Sequence, residues 1–246
     1  MIKNVLLKLA FDGRDFKGYQ YQIDQRSVEE ELRKAIKEVT GEDNRIIACG
    51  RTDAGVHARS FYINFLTACD VNPKGFAYHI QPHLPDDILA LSSKEVGLDF
   101  HARFSCKSKT YKYIINQEKN PHPIYRSYME NITYRLDYDK LDEGLEILKG
   151  YHDFRLFMKE DKNININTNR RIDDCYFKRG ETRLELYFKA ESFLHNQVRI
   201  MTGSLIELAR GKLSLDDFKA YFDPATKKRA NPALSPVGLY LWEVEY

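Results

Sequence analysis

Apolar and polar positions along the 246 residues fall into short blocks, some alternating and some repeating at helical spacing. Val5, Leu7, Leu9 and Phe11 alternate with less apolar neighbours and predict a first strand that ends at Asp12-Gly13. Ser27-Val28-Glu29-Glu30 reads as a capping box, and Val28, Leu32, Ile36 and Val39 then recur at the spacing of one helix face until Gly41 stops it. Short strands are predicted at residues 45–49 and 61–65, with a polar turn, residues 50–57, between them. A helix near residues 73–79 and a strand at 88–92 complete a β-α-β-β-α-β-like half.

The same order of elements then starts again. Residues 110–116 predict a strand with Tyr111, Tyr113 and Ile115 on one face, and residues 139–148 a helix with Leu141, Leu145 and Leu148 on its stripe. Strands at 173–179 and 183–189 flank a turn at Gly180, and a long helix at about 194–209 buries Val198, Met201, Leu205 and Leu208. Ser214 caps a last short helix, and 239–244 ends the chain as a strand. This pattern predicts an α+β protein of two related sheet-based halves, residues 1–105 and 106–246, the first carrying an aspartate loop.

Composition narrows the class. With 43% hydrophobic and 30% charged residues, neither a disordered nor a collagen-like chain fits. The longest apolar stretches, 2–11 and 200–208, fall well short of the roughly 18 residues of a spanning helix. Met1-Ile2-Lys3-Asn4-Val5 alternates like a strand rather than opening a signal peptide. Cys49, Cys69, Cys106 and Cys175 stand far apart without a CxxC pair, so they read as small buried apolar side chains of a protein of the reducing cytoplasm. The net charge of +2 is uninformative until its distribution is considered: residues 101–112, 162–171 and 225–232 together carry +10, leaving −8 elsewhere. Such segregation predicts a basic surface suited to a polyanion, against the alternative of merely solvated faces.

Missing motifs exclude several chemistries. The chain has no GxGxxG after a strand, no GxxxxGK[ST] and no HExxH. His79 and His83 are four apart, but Pro82 between them argues against a shared helical face. The turn at 50–57 is different, because Gly50 and Gly55 bracket Asp53 between two strands, a rigid scaffold for a polar loop. On residue types alone Asp53 reads first as an Asx-turn former and only second as a reacting carboxylate. Arg51 serves as a surface arginine or as a side chain that enters a nucleic-acid stack.

Cys49-Gly50-Arg51-Thr52-Asp53-Ala54-Gly55-Val56-His57-Ala58 resembles the active-site motif of the TruA family, the tRNA pseudouridine synthases A. Further blocks resemble that family in its order: Phe11-Asp12-Gly13, Gly18-Tyr19-Gln20, Leu84-Pro85-Asp86-Asp87-Ile88, Phe100-His101-Ala102-Arg103-Phe104-Ser105, Tyr111-Lys112-Tyr113, Asp153-Phe154, the segment from Phe193 to Arg199, and Gly238-Leu239-Tyr240-Leu241. The resemblance implies an enzyme that isomerises uridine to pseudouridine in tRNA, at positions 38 to 40 on the 3′ side of the anticodon stem-loop. It implies no metal and no organic cofactor, a homodimer, and a continuous, mainly antiparallel sheet flanked by helices. Asp53 falls on the catalytic aspartate, Arg51 on the arginine that helps displace the target nucleotide, Tyr111 on the active-site tyrosine that also meets substrate, and Arg199 on the arginine paired with the carboxylate.

His57, Tyr113 and Asn196 stand beside this set with support and packing undecided between them. The chain departs from the family's pattern at Arg59-Ser60-Phe61-Tyr62, where a GQV-like string is usual, at Ile80-Gln81-Pro82, and over residues 159–169. Those departures leave open the same reaction on another RNA, such as ribosomal RNA. Two other classes remain: a catalytically silent RNA-binding module, and a metal-dependent hydrolase built on Asp53 with Asp86 or Asp87.

Overall fold

A computed structural model describes residues 1–159, 166–226 and 229–246. Lys162, Lys227 and Lys228, part of the predicted basic strips, lie outside the described residues. In chain order the elements are β1 (Lys3–Phe11), α1 (Val28–Thr40), β2 (Ile47–Ala48), β3 (His57–Thr67), α2 (Phe76–Ile80), β4 (Ile88–Val96), β5 (Ser108–Asn116), β6 (Glu130–Asn131), α3 (Tyr138–Leu148), β7 (Gly150–Asp153), β8 (Asn169–Ile172), β9 (Asp174–Arg179), β10 (Arg183–Ala190), α4 (Gln197–Ala209), α5 (Leu215–Lys219) and β11 (Leu239–Glu245). They form two units: Met1–Lys107 with Tyr240–Tyr246, and Ser108–Leu239. Both are α+β, with mainly antiparallel sheets and flanking helices.

In the first unit β1 lies between β4 and β3, antiparallel to both, and β11 runs parallel to β3 with Tyr240 opposite His57. Leu7, Leu9, Phe61, Ile63, Phe65 and Ile88 bury one sheet face, together with Val28, Leu32 and Ile36 of α1. Ser27 Oγ accepts the Glu30 N–H at 3.4 Å, and the Gly41 N–H returns to Lys37 O at 2.8 Å, so both predicted ends of α1 are realised. The segment after β4 is pinned by two buried asparagines. Asn64 Oδ1 accepts the Ala102 N–H at 2.8 Å, Asn4 Nδ2 donates to Gly97 O and Phe100 O, and the Tyr246 hydroxyl donates to Ala102 O. Those bonds give the Phe100–Ser105 block a backbone reason: its peptide groups are satisfied by side chains instead of a strand partner.

In the second unit β10 lies between β5 and β9, all antiparallel, while β6 adds a short parallel pair to β5. Tyr113 and Ile115 are fully buried, and Tyr111, on the same face, is half-buried. The hairpin β7–β8 was not expected from the pattern, because neither strand alternates. Helix α4 starts at Gln197 instead of about 194, since Asn196 takes a left-handed conformation at φ 62° and breaks the helical run before it. Its burial also exceeds one stripe: Gln197, Ile200, Thr202, Ser204 and Ile206 are buried along with the predicted four. A helix enclosed nearly all round cannot show a clean amphipathic period.

Two expectations about side chains need correction. The strip at 101–112 is not uniformly a surface: Lys109 and Lys112 are buried, Lys112 Nζ 2.7 Å from Glu185 Oε1 and Lys109 Nζ donating to Glu191 O at 3.3 Å. Lys112 thus pairs with a carboxylate of its own unit and Lys109 with a backbone carbonyl there, while Arg103 and Lys107 are exposed. Of the cysteines, Cys49, Cys106 and Cys175 are buried and unpaired by disulfide, but Cys69 is only half-buried. Burial pushes the Cys175 thiol up to about 12, as befits an inert core group.

Candidate active site

The loop between β2 and β3 owes its shape to backbone contacts from residues 12–19. The Tyr19 N–H donates to Thr52 O at 3.1 Å, the Gly55 N–H to Phe16 O at 3.2 Å, and the Val56 N–H closes a turn onto Asp53 O at 3.2 Å. Gly13 packs against Val56 so closely that a Cβ there would lie 2.0 Å from Val56 O. Gly18, at φ 98°, would bring a Cβ to 2.8 Å from Thr52 O. The Phe11-Asp12-Gly13 and Gly18-Tyr19 blocks are therefore the mould of the aspartate loop, and glycine is required where backbone meets backbone. Asp53 is half-buried within it and Arg51 is exposed.

Behind that mould stands a brace. Arg26 donates to both carboxylate oxygens of Asp87, at 2.6 and 2.9 Å, and its guanidinium lies 4.1 Å from the Phe16 ring centroid. The Asp12 N–H donates to Asp87 O at 3.0 Å. Asp87 is thus held bidentate by an arginine, which explains the Leu84–Ile88 block and removes this carboxylate from the ligand role that the hydrolase alternative gave it. Among the described residues no group of three His, Cys, Asp or Glu is placed to hold a metal ion. The loop's inner side carries two buried hydroxyls, Tyr19 Oη and Thr52 Oγ1, without a hydrogen-bond partner among the described residues. The Tyr19 ring stacks on Phe61, one of the residues that depart from the family's pattern, at 4.8 Å.

The second unit carries Tyr111 and Arg199. Tyr111 sits on β5 opposite Phe188, with its ring edge-on to Phe193 at 5.2 Å. Arg199, in the first turn of α4, is held from two directions: Nε donates to Leu234 O at 2.7 Å and Nη1 to Asn196 Oδ1 at 2.9 Å, while the Leu234 N–H returns to Arg199 O. The left-handed backbone of Asn196 is what aims its side chain at an arginine three residues on. Next to Leu234, Ser235 O accepts the Tyr113 hydroxyl at 2.7 Å, and that hydroxyl also lies 3.4 Å from Glu130 Oε2. Burial raises the pKa of the Tyr113 phenol and of the Glu130 carboxyl from their ordinary values.

The structure therefore gives the three undecided residues distinct partners. Asn196 bonds Arg199, Tyr113 bonds the strap that also receives Arg199, and His57 accepts the Gly13 N–H through Nδ1 at 3.1 Å. Glu130 was missed by sequence reasoning altogether. It lies in a two-residue strand whose only signal would have been its partner, Tyr113, seventeen residues earlier.

Comparison with known proteins completes the picture. The sequence pattern of the tRNA pseudouridine synthase family matches residues 9–105 and 145–246, which include Arg51, Asp53 and Arg199 but not Tyr111. The chain is 38% identical over 245 residues to tRNA pseudouridine synthase A of Finegoldia magna and 35% identical over 245 residues to that of Clostridium botulinum, covering 100% of each chain. Identity to the enzyme of Bacillus pumilus is 37% over 240 residues, 97% of each chain. With its aspartate loop moulded as described and its whole length matched, the chain belongs to the tRNA pseudouridine synthase family, the isomerases that convert uridine to pseudouridine in tRNA.

Proposed function

We propose that this enzyme modifies tRNA at positions 38 to 40, on the 3′ side of the anticodon stem-loop, in the cytoplasm, as a homodimer and without a cofactor. The observation that carries the reading is the Asp53 loop, a carboxylate-bearing turn held from behind by backbone bonds and two glycines. Rigid placement is what the reaction demands. The N1–C1′ glycosidic bond breaks, the uracil turns, C5 bonds to C1′, and the C5 proton leaves while N1 gains one, so a transient base must be kept from water and from escape.

In this reading Asp53 is the essential group. It acts as an ionised carboxylate, whether by attack on C6, by addition at C1′, or by promoting loss of the 2′ proton. Arg199 keeps that carboxylate charged and oriented through a charge-assisted contact. The bonds to Leu234 and Asn196 support this role, because a guanidinium already gripped on two sides loses little freedom in engaging a third partner. Tyr111 stacks on the uracil and assists removal of the C5 proton after the carbon–carbon bond has formed. Arg51, exposed beside Asp53, takes the space of the everted base or anchors a phosphate, offsetting an unstacking cost of a few kcal/mol.

The test is release of tritium from tRNA labelled at C5 of its uridines, with the modified positions mapped by carbodiimide-stopped primer extension. Wild type is expected to release tritium in the presence of a chelator, and Asp53→Ala to lose at least about 10³-fold in rate while still binding tRNA. Release from ribosomal RNA alone would move the substrate. Binding without release from either RNA would leave the silent RNA-binding module. Light scattering tests the dimer, which a monomer at working concentration would exclude.

A further inference from the structure

Strand β3 opens with a histidine that belongs to the motif but has no part in the chemistry above. His57 is 2% exposed, and its ring lies on Tyr240, the cross-strand partner in β11, with centroids 4.7 Å apart and planes 20° from parallel. Its Nδ1 stands 3.1 Å from the Gly13 nitrogen and 3.2 Å from Asp12 Oδ1. One ring nitrogen cannot serve both, since a proton on Nδ1 would donate to Asp12 and face the Gly13 N–H, whereas a bare Nδ1 accepts that N–H. Without a proton from His57, Asp12 still has donors, with Oδ1 accepting the Arg14 N–H at 3.1 Å and Oδ2 the Arg14 Nε–H at 2.8 Å. Gly13, pressed against Val56, has His57 Nδ1 as its acceptor. A buried amide left unpaired is the costlier outcome, so the network selects the neutral ring with its proton on Nε2.

We propose that His57 is a positioning residue for Asp53: as a neutral imidazole it clips the outgoing end of the aspartate loop to the Asp12–Gly13 turn, and Tyr240 fixes the plane of the ring. The inference rests on the reading of Asp53 as the essential group. Its physical content is separable from that reading, because an acceptor at Nδ1 and a flat neighbour on the ring face do different things. The acceptor sets where the loop ends relative to residues 12–13. The stack limits rotation of the ring about its Cβ–Cγ bond, and so sets how constant that distance is.

Two substitutions divide the roles. His57→Phe keeps a ring against Tyr240 and removes the acceptor, while His57→Asn gives up the ring but keeps an acceptor oxygen near the place of Nδ1. Misplacing a reacting group by about 1 Å costs on the order of 10²-fold in rate. Accordingly His57→Phe is expected to lower kcat for tritium release by about 30-fold to 100-fold with KM for tRNA within about twofold, and His57→Asn to recover most of that loss. Wild-type kcat in His57→Phe, or equal loss in both variants, would overturn the proposal, as would a rise in KM at constant kcat.

If His57→Phe does not fold, nitrogen NMR on the wild-type protein labelled at histidine decides the matter, with the His57 signals assigned by their disappearance in His57→Asn. An unprotonated Nδ1 and a protonated Nε2 at the working pH are expected, and a protonated Nδ1 sinks the idea. A wild-type protein without turnover on any RNA would instead count against the functional reading, and the nitrogen spectrum would still report the tautomer.

Discussion

The Asp53 loop and the Arg199 neighbourhood are held in place by opposite means. The loop is cast against residues 12–19 by backbone bonds, at positions where only glycine fits. Arg199 is gripped by a carbonyl from residue 234 and by a side chain on a left-handed residue at the helix entrance. A carboxylate on a backbone mould has one place to be. A guanidinium on a long stem has many, and needs partners to choose among them. The difference teaches that the first region should fail through the main chain and the second through single hydrogen bonds.

The largest break falls on the mould. Gly13→Ala should destabilise the protein by about 3 kcal/mol and abolish turnover, because the new methyl meets the Val56 carbonyl and not a yielding side chain. Thermal melts and tritium release check both. Arg199→Lys should leave stability nearly intact and lower kcat by about 10²-fold, since an ammonium keeps the charge but not the fork that reaches Leu234 and Asn196. Full activity there would mean that charge alone suffices and would dissolve the contrast.

Asn196→Gly is the sharper probe. Glycine accepts a φ of 62° more easily than asparagine, so melting should stay within about 1 kcal/mol of wild type while kcat falls by about 10-fold. A large loss of stability would show that asparagine matters as a cap and not as a partner of Arg199. The smallest effect is expected at Glu130. Burial raises its folded-state pKa above the unfolded value, so the folded state holds the proton longer, and stability falls as pH rises from about 4.3 through the folded pKa and is level above it. Glu130→Gln should remove that slope and raise the neutral-pH melting point by about 2 °C or less, read from melts across pH.

Much of the scaffold of the candidate site was legible because its determinants are local. Ser27, Gly41 and the spacing of Val28, Leu32 and Ile36 place α1, and each behaves in the fold as the pattern says. The Gly50–Ala58 string marks the loop, and the alternation of Tyr111, Tyr113 and Ile115 marks β5. Legibility stopped where one residue's meaning depends on another far along the chain. Lys112 reads as surface charge until Glu185 is placed beside it, and Asp87 reads as a potential ligand until Arg26 takes both its oxygens. The start of α4 was misplaced because Asn196 can be helical or left-handed, and a side-chain bond to Arg199 together with the Leu194 N–H to Gln197 Oε1 bond favours the latter.

By itself the sequence determined the family, the longer strands and helices in their order, and the place of the aspartate loop, while the short strands β6, β7 and β8 escaped it, since propensity, caps and a nine-residue motif are properties of neighbouring residues. Only the tertiary structure decided that Tyr240–Tyr246 returns to the first unit, that Tyr240 covers His57, and that Gly13 is the surface against which Val56 is pressed. Those contacts join residues tens to hundreds of positions apart. They exist because burying one sheet face leaves the chain few ways to satisfy its remaining peptide groups, and that constraint acts on the whole fold and not on any local stretch.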